Sequence, residues 1–125
     1  MLRSINRAYG HRVGDEAIVL AAARLRAPLR ASDVVGRVGG DEFIVIMDGV
    51  HSLEEATHLG ERLLSAHHAP LRINDVEIQV TMSIGLTLLE GDESIDDCVE
   101  RADAAMFAAK QAGGAQVIAV GSDAA

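Results

Sequence analysis

Aromatic side chains are nearly missing from this sequence, which has no tryptophan, one tyrosine and two phenylalanines among 125 residues. Proteins that hold single-stranded nucleic acid stack bases on aromatic platforms, so that function class is disfavoured. Basic charge is scarce as well: 11 Lys and Arg face 19 Asp and Glu, and the net charge is -8. Nonspecific nucleic-acid binding rests on cationic side chains that neutralise phosphates, so the charge balance also points away from a nucleic-acid partner. A small anionic ligand held by a few local arginines is compatible with it. Cysteine occurs once, as Cys98. An internal disulfide is impossible and no second cysteine stands at metal-ligand spacing, which fits a reducing, cytoplasmic setting. Cys98 reads as a plain helix residue. No apolar run approaches the roughly 18 residues of a membrane span, and the first residues lack the long apolar core of a signal peptide. The chain is expected to be soluble, with no membrane contact of its own.

What remains is an ordinary globular composition, 49% hydrophobic and 24% charged, long enough to bury one core built from Ala, Val, Leu, Ile and Met. One domain is expected over residues 1–120, with 121–125 a flexible tail. From Gly14, the residues Ile18, Ala22, Leu25 and Leu29 recur at helical spacing and predict a helix that ends near Pro28. Two β-rich runs, Val34 to Val38 and Phe43 to Met47, flank Gly39-Gly40-Asp41-Glu42 and predict a hairpin. Ser52 and Glu55 have capping-box spacing ahead of Leu53, Ala56, Leu59 and Leu63, a helix to about His67. The run from Val76 to Leu88 alternates with period two, which places its apolar side chains on one sheet face; Leu71 and Ile73 before Asn74-Asp75 complete a second hairpin. Ser94 and Asp97 repeat the capping signal, and Ile95, Val99, Ala102, Met106 and Ala109 form a stripe toward Lys110, with Gly113 placed to stop the helix. Val117 to Val120 is a last short strand. This order predicts an α+β sandwich with a mostly antiparallel sheet and helices packed on it.

The hairpin turn carries the first chemistry. Asp41 and Glu42 follow a glycine pair that lets a ligand approach the backbone, and hard carboxylate oxygens suit Mg²⁺ carrying a phosphate chain. A solvated type I′ turn explains the same residues equally well. Arg37, on the strand entering the turn, could balance phosphate charge or pair with a carboxylate across the hairpin. The five histidines show no metal-ligand spacing, with His67 and His68 merely adjacent at a helix end. Asp92, Glu93, Asp96 and Asp97 lack the alternation of a calcium loop and read as charges at a helix N-terminus.

Four segments together resemble one family. Arg37-Val38-Gly39-Gly40-Asp41-Glu42-Phe43 looks like the signature of the GGDEF diguanylate cyclase domains. Ile5-Asn6-Arg7-Ala8-Tyr9-Gly10-His11 followed by Gly14-Asp15 is similar to the family's IN-x-x-YGH-x-x-GD segment, Thr81-Met82-Ser83-Ile84-Gly85 to its T-x-SIG strand, and the run from Arg101 to Lys110 to its RAD-x-A-x-Y-x-AK helix. The resemblance implies a ferredoxin-like, palm-like nucleotidyl cyclase fold and the condensation of two GTP into cyclic di-GMP by a homodimer using Mg²⁺ or Mn²⁺. It implies that Asn6 and Asp15 hold the guanine edge and that Gly39 and Gly40 admit the nucleotide. Asp41 and Glu42 would bind metal, with Asp41 also drawing the proton from the attacking hydroxyl and Arg37 assisting, while Lys110 reaches phosphate. Arg30-Ala31-Ser32-Asp33 fits the family's RxxD inhibitory site, where Arg30 and Asp33 would dock cyclic di-GMP. Without the family, Asn6 and Asp15 read as helix-terminus residues, Lys110 as complementing a helix dipole, and Arg30 with Asp33 as a helix end and its loop.

Two departures qualify the resemblance. Family members begin with a central apolar strand ending in a metal-binding Asp; here the chain starts at Met1-Leu2-Arg3-Ser4-Ile5-Asn6, and Arg3 falls where the family has a lysine. Loss of that strand is expected to leave unpaired backbone donors and an open apolar slot, which a segment swapped from a second chain could fill. Gly113-Gly114-Ala115 also replaces a common G-R-N, removing one phosphate contact. The alternative to an active cyclase is a catalytically silent module that binds cyclic di-GMP or GTP. A fused sensor or an EAL-type phosphodiesterase in the parent protein fits either reading.

Overall fold

A computed structural model of the chain describes residues 2–48, 52–67 and 69–121. The expected tail at 122–125 and His68 lie outside these residues, as does the side chain of His67. In chain order the elements are α1 (Leu2–Tyr9), α2 (His11–Arg26), β1 (Val34–Gly39), β2 (Glu42–Met47), α3 (Leu53–His67), β3 (Leu71–Ile73), β4 (Val76–Ile78), β5 (Ser83–Leu88), α4 (Ile95–Gln111) and β6 (Gln116–Val120). The main sheet has the order β1-β2-β5-β6, and β3 with β4 forms a separate hairpin.

The α+β class stands, but the main sheet is mixed where a mostly antiparallel one was expected. β1 and β2 are antiparallel, whereas β2 with β5 and β5 with β6 are parallel. The expected open slot is not seen either. β2 and β5 pair directly through an unbroken register from Glu42↔Ser83 to Met47↔Leu88, and Asp41 O with Ser83 N (3.1 Å) and Met47 O with Leu89 N (2.9 Å) hold the two ends. Both differences have one cause. Two strands on either side of an antiparallel central strand run in the same direction, so without that strand they can satisfy each other's backbone groups as a parallel pair.

Local sequence accounts for most boundaries. Ser52 and Ser94 each accept a bond from a backbone N–H three residues on, at 3.1 Å, as their spacing predicts. Asn74 and Asp75 both have positive φ, 51° and 64°, the conformation a two-residue hairpin turn requires. α1 is an addition to the expected elements. It stops at Gly10, whose φ of 93° a side chain would oppose, and α2 starts at once with His11. The period-two run from Val76 does not form one strand: it breaks at residues 79–82, so β4 and β5 belong to different sheets.

β5 is buried along its whole length because helices cover both faces of the sheet. On one face Phe43, Val45, Met47, Ile84, Leu86 and Leu88 share a core with α1, α2, α3 and the β3–β4 hairpin. On the other, Ile44 and Ile46 meet Cys98, Ala102 and Met106 of α4. Gly85 faces α4, and a Cβ there would stand 2.0 Å from the Ala102 carbonyl oxygen and 2.4 Å from the Met106 nitrogen. Helix and strand thus meet backbone to backbone. Such a contact favours small side chains, and the buried face of α4 is Cys98, Ala102, Ala105 and Ala109 with the flexible Met106; Ile95 and Val99 of the expected stripe are 50% and 38% exposed.

A polar clasp fixes the other end of α4. Arg101 binds both oxygens of Glu93, at 2.9 and 2.6 Å, and also donates to the Thr87 hydroxyl (2.8 Å) and the Leu88 carbonyl (2.7 Å). Thr87 in turn donates to the Val120 carbonyl, tying in β6. Glu93 is therefore more than a charge near a helix N-terminus, and Cys98 more than a plain helix residue, since its thiol donates to Glu93 at 2.9 Å. The Arg101 guanidinium holds the Glu93 carboxyl down at about 2, and burial together with Glu93 pushes the Cys98 thiol up to about 11. A depressed carboxylate contributes stability that is complete above its ordinary value of 4.5 and is lost as pH falls toward 2. Glu93→Gln should thus remove about 1–3 kcal/mol at neutral pH, after discounting for partial exposure, and flatten the fall in stability between those two pH values. Urea unfolding of both proteins across that range checks this.

Candidate active site

The turn between β1 and β2 is built by proximity more than by unusual torsions. Neither Gly40 nor Asp41, the two residues between the paired Gly39 and Glu42, has positive φ, so the turn is not type I′, which needs it at both central residues. Gly39 leaves room for Glu42: a Cβ there would lie 1.9 Å from a Glu42 carboxylate oxygen, and that side chain would have to swing away from its present position. The register slips between Arg37 and Gly39, and the Arg37 Nε donates to the carbonyls of Gly39 (3.0 Å) and Gly40 (3.1 Å). Arg37 therefore braces the turn's backbone and pairs with no carboxylate across the hairpin.

Lys110 comes to this turn from the last helical turn of α4, and its ammonium group binds the Glu42 carboxylate. Glu42, with Asp41 adding to the field, holds the Lys110 amine above its ordinary value. An elevated lysine keeps its contribution fully at lower pH and loses it only as pH rises past the ordinary lysine range, so the pair persists at neutral pH.

Beside the turn opens a cavity of about 1180 Å³, larger than the roughly 300–1000 Å³ of most small-molecule sites. Asn6, Gly40, Asp41 and Lys110 line it, together with Arg3, Arg7, His11, Thr81, Ser83 and the Gly113-Gly114-Ala115 turn. The structure thus brings four of the expected substrate and metal residues into one space. Asn6 sits within α1, and its side-chain oxygen is buried without a hydrogen-bond partner. An acceptor left in that state calls for a donor from a ligand. Asp15, expected beside Asn6, is exposed on α2 one turn beyond His11 and is not among the lining residues. Glu42, Arg37 and Gly39 lie next to the cavity wall through their contacts with the turn and Lys110.

Arg30 and Asp33 are adjacent, but Asp33 is turned inward. Its side chain is 2% exposed while that of Arg30 is 54% exposed. One Asp33 oxygen accepts from the Arg30 N–H at 2.9 Å and the other from the Asp48 N–H at 3.1 Å, and the Arg30 guanidinium reaches the Asp48 carbonyl. The pair closes the loop between α2 and β1 onto the end of β2.

The donors at the turn suit a hard cation that shares its coordination with a ligand. No group of three or more His, Cys, Asp and Glu side chains gathers among the described residues. Magnesium commonly needs only one or two carboxylates, completing its shell with phosphate oxygens and water. Asp41 and Glu42 offer that many.

The family model described as "Diguanylate cyclase, GGDEF domain" matches residues 1–116. The bifunctional diguanylate cyclase/cyclic di-GMP phosphodiesterase MucR of Pseudomonas aeruginosa is 38% identical over 112 residues, which are 89% of this chain and 16% of MucR. The chain therefore spans a small part of that relative's length. Among solved structures, the GGDEF domain of TpbB (YfiN) from Pseudomonas aeruginosa superposes with a TM-score of 0.81 at 31% identity, covering 94% of this chain and 70% of that one. The GGDEF domain of DgcB from Caulobacter crescentus, solved in complex with c-di-GMP, gives 0.68 at 26% identity over 94% and 71%. With almost the whole chain matched in sequence and in fold, it belongs to the diguanylate cyclase GGDEF domain family.

Proposed function

We propose that this domain condenses two GTP molecules into cyclic di-GMP, with two copies facing each other and each holding one nucleotide. The observation that carries the reading is Asn6, which lines the same cavity as Asp41 and has a buried side-chain oxygen without a hydrogen-bond partner. Asn6 accepts from a guanine N–H, and Asp15, on the α2 face beyond His11, meets the guanine edge at the cavity's rim. Lys110 approaches the phosphates from the end of α4. Asp41 accepts the proton of the 3′ hydroxyl as its oxygen bonds to the α-phosphorus of the facing GTP; the bond to the β-phosphate breaks and pyrophosphate leaves. Each of the two bonds forms this way, so two pyrophosphates are released. Pairing of domains supplies the alignment, since a lone domain presents a single nucleotide.

Nucleotidyl cyclases of this family generally need a divalent metal. Mg²⁺ or Mn²⁺, held by Asp41 and Glu42 with the substrate phosphates, would neutralise charge on those phosphates. The pair with Lys110 keeps the Glu42 carboxylate oriented beforehand. Arg37 assists indirectly by bracing the carbonyls of Gly39 and Gly40. Product docking at Arg30 and Asp33 would use the exposed Arg30 guanidinium for phosphate and require Asp33 to give up its two backbone donors. A cytoplasmic setting, where GTP is available and a lone thiol stays reduced, fits this reading. The small share of MucR that the chain spans supports further domains in the parent, such as a sensor or an EAL phosphodiesterase.

A silent nucleotide-binding module is the second reading, favoured by one feature: Asp41 lines the cavity while its neighbour Glu42 is bound to Lys110. Chromatography of the products from GTP and Mg²⁺ separates the two. Formation of cyclic di-GMP, second order in protein at low concentration as a dimer requires, is the expected result. GTP binding without product would instead establish the silent module.

A further inference from the structure

Among the described residues, the side chains of Glu42 and Lys110 hydrogen-bond only to each other. The Lys110 ammonium holds one oxygen of the Glu42 carboxylate, Oε2. The other, Oε1, packs over the backbone of Gly39, where a Cβ would stand 1.9 Å from it. Glu42 does not line the cavity, whereas Asp41 and Lys110 do. The two adjacent carboxylates that suit one metal ion are therefore not presented to it together. The Glu42 side chain is 16% exposed, and a carboxylate with so little water around it needs a positive partner in place of hydration. It can leave Lys110 only for another cation. Lys110 is 56% exposed on a flexible stem, so water or another anion can receive it. The carboxylate's need holds the pair shut, and the pair opens at least cost when a cation and an anion arrive together.

We propose that Lys110 is a latch on Glu42 that makes the site specific for a divalent cation carried by a nucleotide and poor at holding the free ion. The proposal rests on the GTP reading above and deepens it. A free cation meets Asp41 but not Glu42, with the Lys110 ammonium nearby as a repelling charge. To recruit Glu42 it must break the ion pair and leave the ammonium without its anion. A nucleotide alone must draw Lys110 away and leave Glu42 unpaired, which is the costlier loss. When both arrive, Glu42 exchanges the ammonium for the cation as Lys110 exchanges the carboxylate for phosphate, and every charge keeps a partner. One broken pair then serves two ligands, which makes their binding positively cooperative. Linkage makes the effect reciprocal: the cation strengthens nucleotide binding by the same factor as the nucleotide strengthens cation binding, typically roughly 5–150-fold.

Paramagnetic resonance of free Mn²⁺, titrated into the whole chain without nucleotide, tests the latch directly. Lys110→Met removes the ammonium and keeps the stem. The side chain is largely exposed, so the variant should fold, which circular dichroism reports; Lys110→Gln replaces it otherwise. Expected is about a tenfold tightening of Mn²⁺ binding in Lys110→Met and no more than about a twofold change in Lys110→Arg, which keeps the latch. Adding Glu42→Gln to Lys110→Met should abolish the gain. Unchanged or weaker Mn²⁺ binding in Lys110→Met, or a gain that survives Glu42→Gln, overturns the proposal and leaves the function standing. Calorimetry with GTP, in EDTA and in saturating Mn²⁺, supplies the second arm. The factor by which Mn²⁺ strengthens GTP binding should be about tenfold smaller in Lys110→Met than in the wild type, and an equal factor also overturns the proposal. If Lys110→Met tightens Mn²⁺ while the wild type binds GTP in neither buffer, the latch stands and the GTP reading fails.

Discussion

Gly85→Ala is expected to destabilise the chain by about 3 kcal/mol or more, the upper range for overpacking a core. The added methyl would meet the Ala102 carbonyl oxygen and the Met106 nitrogen, which are parts of the α4 backbone, so no rotamer change relieves it. Either α4 lifts from β5 or the strand shifts out of register with β2 and β6. Both answers uncover Ile44 and Ile46. For a domain of ordinary stability, about 5–15 kcal/mol, this is a large fraction of the total. Gly36→Ala is the comparison, because its methyl meets only the Ile44 side chain, at 3.3 Å, and should cost much less. Urea unfolding of the two variants measures the difference; equal midpoints would refute the backbone contact.

Asp41→Ala is expected to lower cyclic di-GMP formation by about 10³-fold or more, since it removes both the proton acceptor and a metal ligand. Stability should change by no more than about 1 kcal/mol, because Asp41 is only partly buried and the bond its residue makes to β5 comes from the backbone carbonyl. Rate loss with an unchanged melting temperature is the signature to look for. Retention of even a tenth of the wild-type rate would remove Asp41 from the chemistry.

Elements governed by local rules were legible in the sequence. The serine caps of α3 and α4, the Asn74-Asp75 turn and the glycine stop after α4 all follow from hydrogen bonding or torsion within a few residues. The GGDEF hairpin was legible too, although its Gly39 acts by leaving room for the Glu42 side chain. What local pattern concealed depends on contacts between distant segments. Ile95 and Val99 have the right period for a buried stripe, but the close approach at Gly85 selects the alanine face of α4 instead. The alternation from Val76 to Leu88 says nothing about the break at residues 79–82 that sends its halves to two sheets. Glu93 and Arg101 stand eight residues apart, outside the usual helical pairings, so their clasp gave no signal. Asp33 had the spacing of a ligand-binding residue, and only the fold shows its oxygens turned to backbone donors.

The parallel seam between β2 and β5 also has a consequence for how the chain reaches this fold. Its partners are separated by about forty residues, so the seam forms only after a long segment has closed on itself, an entropic delay that slows folding. During synthesis β2 leaves the ribosome well before β5, and both precede α4. Until α4 docks, the face bearing Ile44 and Ile46 has no cover, and a partly folded domain with such a face is prone to associate with its neighbours. Arrival of the last helix therefore does two things at once: it hides the adhesive surface and brings Lys110 to the turn, so that the site is completed in the same step that makes the chain safe.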